Sequence, residues 1–373
     1  MTLLNELSDS LKKYLSLGKP RRECLVNLVL ALLSLKSVSL CQLALAMPGE
    51  AILESKYRQL QRFFAHCRLD YNQIAKVIMT KLWLGSKKYD IVLDRTNWKW
   101  GKTHLNILFL CVAYEGFSVP VFWLVLNHGG NSSQRERIAL VKRFVTVFGS
   151  EQIMCVLADR EFIGQKWWAW LTEQGLSFRI RVKKNQEVSY KEKVTSVGAI
   201  FENLARGKRR ILRRTRLLSG QQIWLSASRM SDGKLMIVAS NLNEMPSDAI
   251  FQYLKRWSIE TMFQCLKSQG FDFEKTRLLK RARIKRLIVI LALSYAWSIT
   301  CGQYKHRCVN PIKIKKHGRP AQSLFRYGLD YLTETLRIIH LNTKRLCKVF
   351  LFFWVDVDLV KDAAQIVHLK TAT

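Results

Sequence analysis

Asp94, Asp159 and Glu260, together with Tyr253, Arg256 and Lys267, are the residues of this chain whose types and spacing could do chemistry. Asp94 and Asp159 each follow an apolar stretch, 89–93 and 153–158, at the kind of strand end where an α/β sheet gathers its ligand sites. Alone, either aspartate is more often a turn-former or a helix cap. The other four form a pattern of their own, with steps of 3, 4 and 7 residues from Tyr253 to Arg256, Glu260 and Lys267. At about 100° per residue they point near 0°, 300°, 340° and 320°, an arc of roughly 60° on a helix about 21 Å long. One stripe would thus carry a phenol, a guanidinium, a carboxylate and an ammonium, leaving Leu254, Ile259, Met262 and Leu266 to bury the helix. Without the two aspartates this would read as a solvated face with an Arg256–Glu260 i,i+4 pair.

Taken together, the three acids suit phosphodiester chemistry. That reaction needs an activated oxygen nucleophile and a stabilised leaving oxygen. Two Mg²⁺ ions about 3.5–4 Å apart serve both ends, and hard cations take carboxylate oxygens. Three carboxylates repel one another without metal, so the set is expected to be a metal cradle, with Arg256, Tyr253 and Lys267 gripping phosphates.

The composition agrees. The chain has 373 residues, with 61 Lys+Arg against 28 Asp+Glu and a formal charge of +33, which implies a polyanionic partner. Nucleic acid is the first candidate and an anionic membrane surface the second. A hydrophobic share of 49% excludes general disorder, and the length suggests two or three compact units. Nine cysteines without a C-x-x-C pair indicate neither a disulfide framework nor a structural zinc site, which fits a reducing cytosol. The first 20 residues carry charges and lack an apolar signal region. The longest apolar stretch, 287–300, is shorter than the roughly 20 residues a spanning helix needs, and reads as a buried helix.

The elements that must position these residues change period along the chain. Residues 3–83 read as helical, with Ser39 capping a short helix that ends at Met47-Pro48-Gly49 and a basic helix over 51–66. This pair is compatible with a helix-turn-helix, although an ordinary helical bundle is the better reading of the segment alone. Strands follow at 89–93, 105–113 and 119–126, with a turn at Glu115-Gly116, then a helix from 131 to 148 stopped by Gly149. A strand at 153–158, a Trp-rich helix over 164–173 and a strand at 177–182 complete a β-β-β-α-β-α-β order, which predicts a mixed sheet with helices on its faces. Residues 183–245 read as a β-rich insertion, and 181–216 hold twelve Lys/Arg against three Glu. Helical periodicity returns at Asp248 and lasts to about Thr300, before a basic tail.

The segments Leu93-Asp94-Arg95-Thr96-Asn97-Trp98 and Ala158-Asp159-Arg160-Glu161-Phe162, with Tyr253-x2-Arg256-x3-Glu260-x6-Lys267, resemble the signatures of bacterial insertion-sequence transposases of the DDE type. The last matches the Tyr-Arg-Glu-Lys block of a cut-and-paste subgroup. The resemblance spans residues 89–267 and implies an α/β fold: a ribonuclease-H-like mixed sheet with a β-rich insertion, preceded by an all-helical N-terminal domain and followed by a helical C-terminal region. The domains would be 1–85 for DNA-end binding, 86–182 plus 246–302 for catalysis, 183–245 for the insertion, and 303–373 as a basic helical region. Asp94, Asp159 and Glu260 would be the catalytic acids and bind two Mg²⁺ ions, with Mn²⁺ as a substitute; Asp94 would bridge both. Tyr253, Arg256 and Lys267 would hold the DNA. The partners implied are double-stranded DNA, as inverted-repeat ends and target, and a second copy in a homodimeric synaptic complex, with no membrane. The location implied is the cytoplasm of a bacterium, at the nucleoid. Relatives place a Trp at the start of the insertion strand before the signature helix, to stack near a flipped base on the way to a hairpin; here the nearest is Trp224, one strand earlier.

Two other readings share the charge: a non-catalytic DNA-binding repressor derived from a transposase, and another ribonuclease-H-fold nuclease such as a junction resolvase. The complete acid set argues against the first, and strand joining would exclude the second. Glu161 could join the acids or pair with a neighbouring arginine. His104 and His128 receive no role. Lys316-His317-Gly318-Arg319-Pro320 reads as a basic loop touching phosphates, and the cations of 280–286 as lying against DNA.

Overall fold

The computed structural model describes residues 3–81, 88–242 and 249–337. The expected boundaries near 85 and 245, the helix start at Asp248 and the tail beyond 337 lie outside them. Two compact units emerge, one of Met1–Gly85 with Gln264–Thr373 and one of Ser86–Phe263. The chain opens with five helices: α1 (Leu3–Lys12), α2 (Lys19–Leu35), α3 (Leu40–Leu45), α4 (Leu53–His66) and α5 (Tyr71–Lys81). Ser39 precedes α3, but its side chain makes no capping bond.

The second unit is built on a meander of β1 (Tyr89–Trp100), β2 (Thr103–Tyr114) and β3 (Phe117–Val125). The β2–β3 turn places Glu115 at φ 45° and Gly116 at φ 84°, the paired positive values of a type I′ hairpin, for which glycine is suited. The first strand does not stop at Asp94. It runs on to Trp100 because its polar half stays paired with β2 out to Trp100↔Thr103, with Asn97, Lys99 and Trp100 exposed. Helix α6 (Gln134–Phe148) is fixed at its start by a capping box between Ser133 and Glu136 and ends at Gly149. Then come β4 (Ile153–Ala158), α7 (Gln165–Glu173) and β5 (Phe178–Arg181).

The basic insertion supplies β6 (Glu187–Tyr190), β7 (Lys193–Ser196), a short α8 (Val197–Ile200), β8 (Arg209–Ile211), β9 (Arg216–Leu218), β10 (Gln221–Arg229) and β11 (Leu235–Ser240). One sheet takes the order β3-β2-β1-β4-β5-β11-β10-β9-β6-β7, with β8 also pairing β10. Within it β1, β4 and β5 are parallel neighbours. The stretch 105–112 of β2 is buried on both faces, so both must be covered. Phe122 of β3 packs on Phe144 of α6. Phe109, whose side chain leaves the sheet on the opposite face, packs on Phe263, near the end of the signature segment.

That signature segment is not one helix. It forms α9 (Ala249–Leu254) and α10 (Trp257–Leu266), with the unit boundary in the last turn of α10. At the break Arg256, Ser258 and Ile259 donate backbone N–H bonds to carbonyls three residues back, a tighter winding than the α-helix. The Ser258 hydroxyl donates to the Lys255 carbonyl at 2.6 Å and contacts the Ser118 hydroxyl at 2.6 Å, drawing that carbonyl off the helical ladder.

The first unit closes with α11 (Arg281–Tyr304) and α12 (Leu324–Arg337). Helix α11 outruns the apolar stretch seen in the sequence and, among the described residues, is the one helix long and apolar enough to cross a membrane; most of that stretch is buried within the protein. It packs on α2, α4, α5 and α12. A Cβ on Gly328 of α12 would collide with the Ser298 carbonyl of α11, so the two backbones meet where only glycine fits.

Candidate active site

Three neighbouring parallel strands run in register. Leu93 of β1 is the register partner of Ala158 of β4, and Ala158 is the partner of Ile180 of β5. The next residues, Asp94 within β1, Asp159 just past β4 and Arg181 at the end of β5, therefore fall in one row. Side chains at matching positions of parallel neighbours share a face, so the row is a consequence of register.

The break between α9 and α10 sets a hub against this row. Tyr253 is buried among Met236, Val238 and Ile250, and its hydroxyl donates to Asp159 Oδ1 at 3.3 Å. Arg256 Nε donates to that same hydroxyl at 3.1 Å. From there Arg256 Nη1 reaches Asp94 Oδ2 at 3.0 Å and Nη2 reaches Glu260 Oε1 at 2.5 Å. Arg181 Nη1 lies 3.7 Å from Asp159 Oδ1. A single Tyr–Arg pair thus contacts all three acids. Their side chains are not equally covered, with exposures of 16% for Asp94, 29% for Asp159 and 47% for Glu260.

The aspartates do more than turn the chain. Asp159 starts a 3₁₀ turn, yet its side chain makes no capping bond and faces the hub instead. Burial pushes the Asp94 carboxyl up to about 6, against the lowering pull of Arg256 and of the Arg95 amide, and nearby Glu161 and Asp159 push it further up. Burial works against the charge of Arg256 too, but Tyr253, Asp94 and Glu260 outweigh it and the guanidinium is held above its ordinary range. Burial also raises the Tyr253 phenol, which stays protonated and able to donate.

Five of the six residues singled out in the sequence are brought together in this way. Lys267 follows α10 in the other unit, where its Nζ pairs with Glu274 at 2.7 Å. The residues around the acids that spacing did not reveal are Arg181 and the Arg95 network. Arg95 donates to both oxygens of Glu161 and to Asn106 and Asn131, so Glu161 is an arginine partner. Arg181 carried no signal of its own, since Arg179 precedes it in the same strand and only register sets it beside the acids. Trp224 lies half-buried on β10 opposite Ser240.

The transposase DDE domain family matches residues 85–297, more than half of the chain. The chain belongs to the DDE transposase family. Members of this family act on DNA with divalent metal ions. No curated protein matches the sequence significantly. Among solved structures the chain is similar to the piggyBac transposase in a cryo-EM structure of its synaptic complex with hairpin DNA, at 11% identity and a TM-score of 0.42, covering 98% of this chain and 82% of that one.

As a transposase site, the donor set suits a hard divalent ion, because three carboxylates are gathered about one Tyr–Arg pair. Among the described residues, however, no three His, Cys, Asp or Glu side chains are close enough together to hold a metal as they stand. The guanidinium of Arg256 takes the central place. It offsets the charge of Asp94 and Glu260, while Asp159 meets the Tyr253 hydroxyl and Arg181.

Proposed function

We propose that the protein is a cut-and-paste DNA transposase of the Tyr-Arg-Glu-Lys subgroup, from a bacterial insertion sequence. In this reading residues 86–182 and 246–302 form a ribonuclease-H-like catalytic domain. The strand order β3-β2-β1-β4-β5, antiparallel then parallel, supports that reading. Asp94, Asp159 and Glu260 would hold two Mg²⁺ ions, which supply charge for an activated oxygen and for the leaving oxygen. Tyr253 and Arg256 position the carboxylates and, with Lys267, take phosphates of the element's end. Arg256 is suited to both tasks, since a planar guanidinium matches a carboxylate or a phosphate in the same fork geometry. The DNA is cut by attack of water, and the freed 3′ hydroxyl then attacks target DNA in a synaptic homodimer.

The observation that carries the proposal is the convergence of Asp94, Asp159 and Glu260, from two strand ends and one helix, on the Tyr253–Arg256 pair. Asp94→Ala, Asp159→Ala and Glu260→Ala should each abolish strand cleavage of an element-end duplex in Mg²⁺ while leaving duplex binding in place. Normal cleavage by any of the three purified variants would overturn the assignment.

A further inference from the structure

A second basic site lies in the first unit. Arg21 of α2, Ala65 and His66 at the end of α4, Arg68 just beyond it and Arg286 of α11 line an open concavity of about 490 Å³. These residues come from three separate stretches of sequence, so the fold assembles the site. Arg286 is its fixed point. Its Nε donates to the Cys67 carbonyl at 2.5 Å, and its Nη1 to the carbonyls of Phe64 at 2.9 Å and Ala282 at 3.0 Å. Its charge is thereby locked at the end of α4, where it satisfies carbonyls the helix leaves unbonded. The Cys67 thiol behind it is raised by burial, and Arg21 and Arg286 both oppose that rise, which places both guanidinium charges beside it.

Among the described residues, no acid lines the concavity. The nearest carboxylates in sequence are engaged elsewhere: Glu23 lies 3.9 Å from Lys19, and Asp70 accepts the backbone N–H groups of Asn72 and Gln73. Three guanidinium groups gathered without a counter-charge repel one another, and the arrangement is relieved by an anion that meets them together. Arginine forks match phosphate oxygens. The site is recessed, and its one apolar lining residue is Ala65. That suits a backbone passing over it better than a membrane, into which apolar side chains would be pressed.

We propose that Arg21, Arg68 and Arg286 form a phosphate-backbone site for double-stranded DNA, serving to hold the duplex independently of the acids. This rests on the transposase reading. The test uses the full chain and a random-sequence duplex of about 30 base pairs, with binding followed by fluorescence anisotropy across a salt series. Arg286 is left intact because it holds the end of α4. R21Q/R68Q should lower the slope of log K against log salt by about 1.8, and each single variant by about 0.9, with affinity at about 0.15 M salt at least tenfold weaker in the double variant. R21K/R68K, which keeps the charges, should keep the slope. An unchanged slope in a folded R21Q/R68Q protein would overturn the site, as would loss of binding to phosphatidylserine vesicles with duplex binding intact. Cleavage separates this from the parent reading: if wild type cuts end duplexes and R21Q/R68Q leaves the slope unchanged, only the phosphate site falls, whereas a slope change in R21Q/R68Q with a wild type that never cuts sinks only the transposase assignment.

Discussion

Leu93 and Ala158 are register partners across the parallel pair β1–β4, so the residues that follow them, Asp94 and Asp159, stand on neighbouring strands at one level. Two acids 65 positions apart in sequence are thereby set side by side by backbone hydrogen bonding alone. Their repulsion is offset by the Arg256 guanidinium at Asp94 and by the Tyr253 hydroxyl and Arg181 at Asp159.

Arg256→Ala removes the counter-charge of a nearly buried Asp94. Loss of one partner of a buried ion pair costs about 3–5 kcal/mol, so urea unfolding should shift by an amount of that order. Adding Asp94→Asn in the Arg256→Ala background should recover about 1–3 kcal/mol, because the acid no longer needs a partner. Purely additive effects would show that Asp94 and Arg256 are not coupled.

The Asp94 carboxyl is raised from 3.8 to about 6 in the folded protein. A raised folded-state pKa means the native state binds its proton more tightly than the unfolded chain does. The stabilisation from this group is full below about pH 4 and lost as pH rises through about 6, an effect of about 3 kcal/mol at most. In metal-free buffer, wild type should therefore lose stability relative to Asp94→Asn across that window and run parallel to it above. Parallel melting profiles from pH 4 to 7 would contradict the buried-carboxyl account.

Tyr253→Phe keeps the ring in its packing against Met236, Val238 and Ile250 and deletes only the hydroxyl that links Arg256 to Asp159. The stability loss should be about 1 kcal/mol. Cleavage should fall further than duplex binding does, since the hydroxyl orients the carboxylate and the guanidinium. Equal losses in the two assays would make the tyrosine a DNA contact alone.

Gly328→Ala tests the α11–α12 contact. The added methyl meets the Ser298 carbonyl, a backbone atom that cannot rotate away, so the helices must part. A cost of about 1–3 kcal/mol or more is expected, read as a lower melting temperature. Gly318→Ala, in open space but at φ 78°, should cost about 1 kcal/mol. A smaller loss at Gly328 than at Gly318 would refute the close approach.

Much of this was legible in the sequence. The strand at 153–158 and helix α6 with its Gly149 stop were plain, because apolar period and capping chemistry are local. So were the acids and the Tyr–Arg–Glu spacing. What was not legible depends on partners. The far half of β1 is polar and reads as a loop, yet pairing with β2 makes it strand. The break before α10 involves Ser258, whose hydroxyl meets Ser118 of β3, a contact no helical period announces. Arg181 joined the row through register, and the role of Arg256 as the acids' counter-charge needed all three of them in place.

The three acids differ in how much give their supports allow. Asp94 sits mid-strand, its backbone stitched into β2 opposite Phe109 with pairing continuing on either side, and so cannot drift. Glu260 stands in the first turn of α10, just past the tight winding at Arg256. If these acids hold ions as proposed, any change of spacing needed to seat ions of different size would fall on the helix, while the sheet acts as the anvil.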